Sequence, residues 1–247
     1  MNLRSSFKIF VESYPKEKSA SNYSNIWRWL IINPISIILA YLFSLIKIQP
    51  NLITLISLII GLISCYKFFL GEFLLGSCLI NFSYLLDCVD GHLARYSKKT
   101  SKRGKYFDDV VGIVVWSFSW IFIGFGLYNS DNSSLIYFTD HFSFLKDYHF
   151  ILLGVLAGYF SEMRTLISYK FNENIDFKSQ SKSHLNRKNK NLFYYFMKNI
   201  ISVGGFVMPF FIIFSYLEVM DIFVLIYSII YTLIFIYYSF SYYYKLT

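Results

Sequence analysis

Six stretches of this chain, about 51–70, 72–90, 106–128, 149–169, 192–216 and 222–243, are almost uninterruptedly apolar and long enough to cross a bilayer as helices, which takes about 20 residues. That pattern restricts the fold more than any other feature. With 55% hydrophobic and only 15% charged residues over 247 positions, a water-soluble domain would have to hide more apolar surface than it can enclose. The expected fold is an all-α integral membrane protein with six transmembrane helices around a polar cleft. A seventh apolar run, 27–46, is interrupted early by Asn33-Pro34 and is expected to lie in the membrane interface. Residues 1–46 then form an amphipathic N-terminal arm and 47–247 a single membrane domain. The first 25 residues are polar and lack the apolar core of a signal peptide.

The charges arbitrate orientation. Loop 95–105 carries Arg95, Lys98, Lys99, Lys102, Arg103 and Lys105 without an acid, and loop 170–190 is basic too. Loop 129–148 offers only Lys146 against Asp131, Asp140 and Asp147. Lysine and arginine favour the cytoplasmic side, so both ends of the chain and the two basic loops belong inside. The net charge of +8 lies in short loops between apolar segments, which points to an anionic bilayer surface and anionic substrates and not to nucleic acid. The three cysteines, Cys65, Cys78 and Cys88, sit within apolar segments and read as packing residues. A bacterial inner membrane suits such a chain, with an organelle membrane as the alternative.

Chemistry concentrates in one stretch, DCVDGHLARYSKKTSKRGKYFDDVVG, from Asp87 to Gly112. Asp87 and Asp90 share a helix face, Gly91 and Ala94 continue that stripe, and Gly104 and Asp108 repeat the relation on the next segment. If the two helices form a hairpin, Asp87, Asp90 and Asp108 converge. Oxygen-only donors suit a hard cation, Mg²⁺ or Mn²⁺. Carboxylates at a membrane boundary are costly enough to mark a function.

The same stretch resembles the signature of the CDP-alcohol phosphotransferase (phosphatidyltransferase) family, D-x2-D-G-x2-A-R-x8-G-x3-D-x3-D. Asp87, Asp90, Gly91, Ala94, Arg95, Gly104 and Asp108 are in register, and Gly112 replaces the last aspartate. Upstream, QPNLIT resembles the Pro-Asn-x-x-Thr start of the family's first core helix, with Asn51 and Thr54 in place. The resemblance implies a transferase that moves a phospho-alcohol or phosphatidyl group from a CDP-activated donor, CDP-diacylglycerol or a soluble CDP-alcohol, to a hydroxyl acceptor, releasing CMP. It implies that Asp87, Asp90 and Asp108 hold the divalent ion, and that Asn51, Thr54, Gly91, Ala94, Arg95 and Gly104 form the nucleotide site. The missing aspartate is the family's proposed general base. Asp109, about 100° round the helix from Asp108, and His92, on a different face from Asp87, are the nearby substitutes.

For a hydroxyl acceptor, with or without a phosphate of its own, Arg103, Lys105, Arg164 and Lys170 are the candidate contacts, with Glu162 as an alternative ion-pair partner for Arg164. Two other readings stay open. Gly112 favours a catalytically silent relative that binds nucleotide or scaffolds other enzymes, and a transporter would explain intramembrane acids, although these cluster at one boundary. A homodimer is compatible with the sequence.

Overall fold

The computed structural model of the chain describes residues 25–129, 148–175 and 192–246. Most of the acidic loop 129–148 and of the basic loop 170–190 lies outside them. Among the described residues there are eight helices and no strand. These are α1 (Arg28–Leu45), α2 (Pro50–Phe69), α3 (Phe73–Tyr96), α4 (Lys102–Asn129), α5 (Tyr148–Ile175), α6 (Leu192–Ile201), α7 (Met208–Tyr216) and α8 (Met220–Leu246).

Among the described residues six helices are long and apolar enough to cross a membrane, and seven if α6 and α7 count as one bent span. The chain is an integral membrane protein. The six are not the six read from the sequence. The expected span 192–216 is broken by 69°. Ser202 leaves the helical region (φ −83°, ψ 136°), Gly205 departs again (φ −92°, ψ −122°), and Pro209 starts the next helix. Conversely, Asn33-Pro34 does not interrupt α1. Pro34 falls in the first turn after a π-helical opening, Arg28–Ile32, where its missing N–H costs little. The resulting helix is 18 residues long and itself meets the length and hydropathy of a span. Its opening residue Ile32 packs with Leu85 and Cys88, and Ala40 and Tyr41 pack with Leu86, Val89 and Leu93.

Helix α3 runs past the expected end at residue 90 to Tyr96, so the motif through Arg95 is helical. Helices α2 and α3 form a hairpin whose turn uses Gly71 at φ 76°. Serines close it: Ser57 Oγ donates to the Ser83 carbonyl at 3.0 Å, Ser83 Oγ donates to the Ser57 carbonyl at 2.8 Å, and Ser64 Oγ donates to the Gly76 carbonyl at 2.7 Å. Helix α4 packs against α2 and α5, and α5 against α8. The core is aromatic, centred on fully buried Trp120, which stacks on Phe223 at 5.2 Å and meets Trp116, Phe211, Tyr227 and Tyr231. All three cysteines are free, and Cys65 and Cys88 are buried, as packing residues should be.

Helices α4 and α5 approach closely along a glycine stripe. A Cβ on Gly154 would stand 2.5 Å from the Trp120 carbonyl oxygen, and one on Gly158 2.8 Å from that of Ser117. Only glycine lets the two backbones approach so far.

Candidate active site

The start of α2, the end of α3 and the start of α4 meet at one end of the bundle, since only Ser97–Ser101 separates α3 from α4. A cavity of about 510 Å³ opens there, within the range of small-ligand sites. Asn51, Thr54, Gly91, Ala94, Arg95 and Gly104 all line it, with Asp90, Asp108, Lys99, Lys102 and Lys105. The motif's small residues make the room. A Cβ on Gly91 would lie 3.3 Å from Arg95 Nη1, and one on Gly104 would lie 3.2 Å from Asn51 Oδ1. The Gly104 N–H also caps onto Ser101 Oγ at 2.9 Å, setting the first turn of α4.

A second cavity, about 330 Å³, lies deeper. Asp87, Asp108, Asp109 and Gly112 line it together with Ser57, Tyr84, Glu162 and Thr165, against apolar walls that include Val111, Trp116 and Met208. Asp108 belongs to both cavities and stands where they meet.

The three motif carboxylates gather there but do not close around one point. Asp87 and Asp108 approach within hydrogen-bond reach of each other. Asp90, only 4% exposed, is turned toward α2, where its carboxylate accepts the Thr54 hydroxyl and the Gly91 N–H. Among the described residues no group of three His, Cys, Asp or Glu side chains stands in cation-holding geometry. The donor chemistry nevertheless fits a hard divalent ion: two carboxylates meeting face to face repel unless positive charge stands between them, and a third lies one turn away on the same face. Thr54 thus serves as the partner of a motif acid.

His92 is 4% exposed and lines neither cavity; its Nδ1 lies 3.2 Å from Arg95 Nη2. Asp109 is exposed at the rim of the deeper cavity. Of the basic candidates, Lys105 lines the larger cavity, Arg103 and Lys170 are exposed away from both, and half-buried Arg164 lies in the electrostatic neighbourhood of Tyr231 and Tyr238 on α8. Among the described residues Glu162 makes no ion pair with Arg164, because residues two apart point to different sides of a helix.

Two site residues escaped the sequence reading. Arg28, at the head of α1, hydrogen-bonds Tyr84 and lies within electrostatic reach of both Asp87 and Asp108. The entry to α1 is held at the α6–α7 break, where Asn199 Oδ1 accepts the Ile26 N–H at 2.8 Å and Asn25 accepts the Ser202 hydroxyl. A lone cation at the edge of an apolar run was the available signal for Arg28.

Comparison with known proteins falls on the same region. Residues 47–157 match the family profile CDP-alcohol phosphatidyltransferase. A 65-residue stretch, 26% of this chain, is 43% identical to the bifunctional IPC transferase and DIPP synthase of Archaeoglobus fulgidus. A 64-residue stretch, again 26% of the chain, is 36% identical to the archaetidylinositol phosphate synthase of Pyrococcus horikoshii. These matches span 13% and 34% of the relatives' own lengths. The stretch that resembles the CDP-alcohol phosphatidyltransferase family, residues 47–157, carries every residue of the acidic motif.

Proposed function

We propose that the chain is a membrane transferase that moves a phospho-alcohol or phosphatidyl group from a CDP-activated donor to a hydroxyl acceptor with release of CMP. The observation that carries this reading is the position of Asp108 at the junction of two cavities. The larger, basic cavity receives the cytidine nucleotide, with Gly91, Ala94 and Gly104 allowing it to lie against backbone and Lys99, Lys102, Lys105 and Arg95 countering phosphate charge. The deeper cavity receives the acceptor hydroxyl, so the phosphorus under attack lies beside Asp108. Asp87, Asp90 and Asp108 would hold Mg²⁺ or Mn²⁺, which when bound offsets the charge that builds up on phosphoryl oxygens. Arg28 adds a second positive charge on the Asp87–Asp108 side, and the apolar walls keep bulk water from the donor. The relatives' names make an inositol phosphate the first acceptor to test.

The test is CMP release by purified protein in detergent with Mg²⁺ or Mn²⁺. CDP-diacylglycerol or CDP-glycerol serves as donor, with inositol, glycerol and sugar phosphates as acceptors. Metal-dependent release that disappears in Asp90→Asn is expected. Donor binding without release from any pair would favour the silent relative, whose specific support is Gly112. No donor binding would overturn the reading altogether.

We further propose that the site faces the cytoplasm, of a bacterial inner membrane in the simplest case, because Lys99, Lys102 and Lys105 line it and loop 95–105 that carries them has no acid. In intact cells, Lys99→Cys should resist a membrane-impermeant thiol reagent in a background lacking the native cysteines. Labelling from outside would invert the orientation.

A further inference from the structure

Gly112 leaves a hole in the site. A Cβ there meets nothing within 4 Å, although the residue lines the deeper cavity. The carboxylate that the family motif expects at this position has space but no side chain.

The facing helix supplies one. Gly154, Gly158 and Glu162 recur every four residues and so form one stripe of α5, the stripe that meets α4. Gly154 lies against Trp120 and Gly158 against Ser117, so the two helices run antiparallel and one turn forward on α5 is about one turn back on α4. The next step of that register sets Glu162 level with Gly112 and Ile113. All three line the deeper cavity with Asp87 and Asp108. A smaller fact agrees: a half-buried carboxylate in a membrane helix on a cavity wall is expensive unless it serves a purpose.

Building on the transferase reading above, we infer that Glu162 is the catalytic base, supplied across the α4–α5 interface in place of the aspartate absent at position 112. The acceptor hydroxyl gives its proton to a Glu162 carboxylate oxygen. Its oxygen forms the new bond to the β-phosphorus of the CDP-alcohol. The bond from that phosphorus to the bridging oxygen breaks, and its electron pair leaves with CMP. Asp109 is the competing residue on the same cavity, more exposed and at the rim.

The experiment measures CMP release and CDP-diacylglycerol binding, both with Mg²⁺, for the full-length wild type, Glu162→Gln, Asp109→Asn and the double variant Glu162→Gln/Gly112→Asp. Glu162→Gln is expected to lower CMP release by about 10²–10⁴-fold, the usual worth of a positioned base, while donor binding stays at the wild-type level. Gly112→Asp in that background is expected to restore turnover, because the new side chain enters open space beside the same reacting atoms. Loss of turnover in Asp109→Asn with turnover kept in Glu162→Gln would place the base at Asp109 and overturn the assignment. Wild-type turnover in Glu162→Gln, loss without rescue by Gly112→Asp, or loss accompanied by failed donor binding would each overturn the assignment. A wild-type protein that binds donor yet never releases CMP would instead overturn the transferase reading on which it rests.

Discussion

Asp108→Asn is expected to remove CDP-alcohol binding and CMP release together, with turnover falling by roughly 10³-fold or more. The double effect follows from position. Its carboxylate lines the basic cavity beside Lys105 and Gly104, and it also faces Asp87 in the deeper one. The substitution removes a ligand from the proposed ion and the negative charge that sets the local field, while keeping shape and hydrogen-bonding capacity. Calorimetric titration of CDP-diacylglycerol or CDP-glycerol with Mg²⁺, run beside the CMP assay, reads both. Full donor affinity in the mutant would separate Asp108 from the nucleotide's diphosphate and dismantle the shared-wall arrangement.

The second large effect is on stability. Gly154→Ala introduces a Cβ that would stand 2.5 Å from the Trp120 carbonyl oxygen and 3.2 Å from Gly124 Cα, and these are backbone atoms that cannot rotate away. The helices must separate, at an expected cost of about 1–3 kcal/mol, despite alanine's better helix propensity. The natural control is Gly112→Ala, where the added methyl meets nothing within 4 Å and stability should hold or improve. Thermal unfolding of the two variants in one detergent gives the comparison. Equal midpoints would mean that the close α4–α5 approach contributes little.

Much of the site was legible because it is local. Asp87, Asp90, Gly91, Ala94 and Arg95 lie on one helix with fixed spacing, and a short loop carries the chain directly to Gly104 and Asp108, so their meeting needs no knowledge of the remaining fold. Asn51 and Thr54 followed from the neighbouring helix start. What the motif did not convey was how the acids divide, with Asp90 held by Thr54 and Asp87 set against Asp108. Arg28, Tyr84 and Glu162 were harder still. Each reaches the site through packing between distant segments; Arg28 leaves only the trace of a lone cation at the edge of an apolar run, and Glu162 that of the Gly154–Gly158–Glu162 stripe. The span pattern failed for a related reason. Hydropathy measures how apolar a segment is, and 192–216 is apolar throughout; the break comes from backbone at Ser202 and Gly205. At α1, Pro34 was read as an interruption, whereas the π-helical stretch Arg28–Ile32 precedes it and the helix runs on through it.

The path of α1 also imposes an order on assembly. Arg28 is synthesised before every other residue it touches in the site, yet Tyr84, Asp87 and Asp108 do not exist as a surface until α3 and α4 have been made and paired. Its anchor is later again, since Ile26 and Asn25 are held by Asn199 and Ser202 beyond α5. The nascent protein can lay the body of α1 on α3 early, but the head that carries Arg28 is fastened only once Asn199 and Ser202 have been made. The acidic centre gains its cation only when the early and late parts of the chain close on each other, which makes completion of the site a late checkpoint of folding.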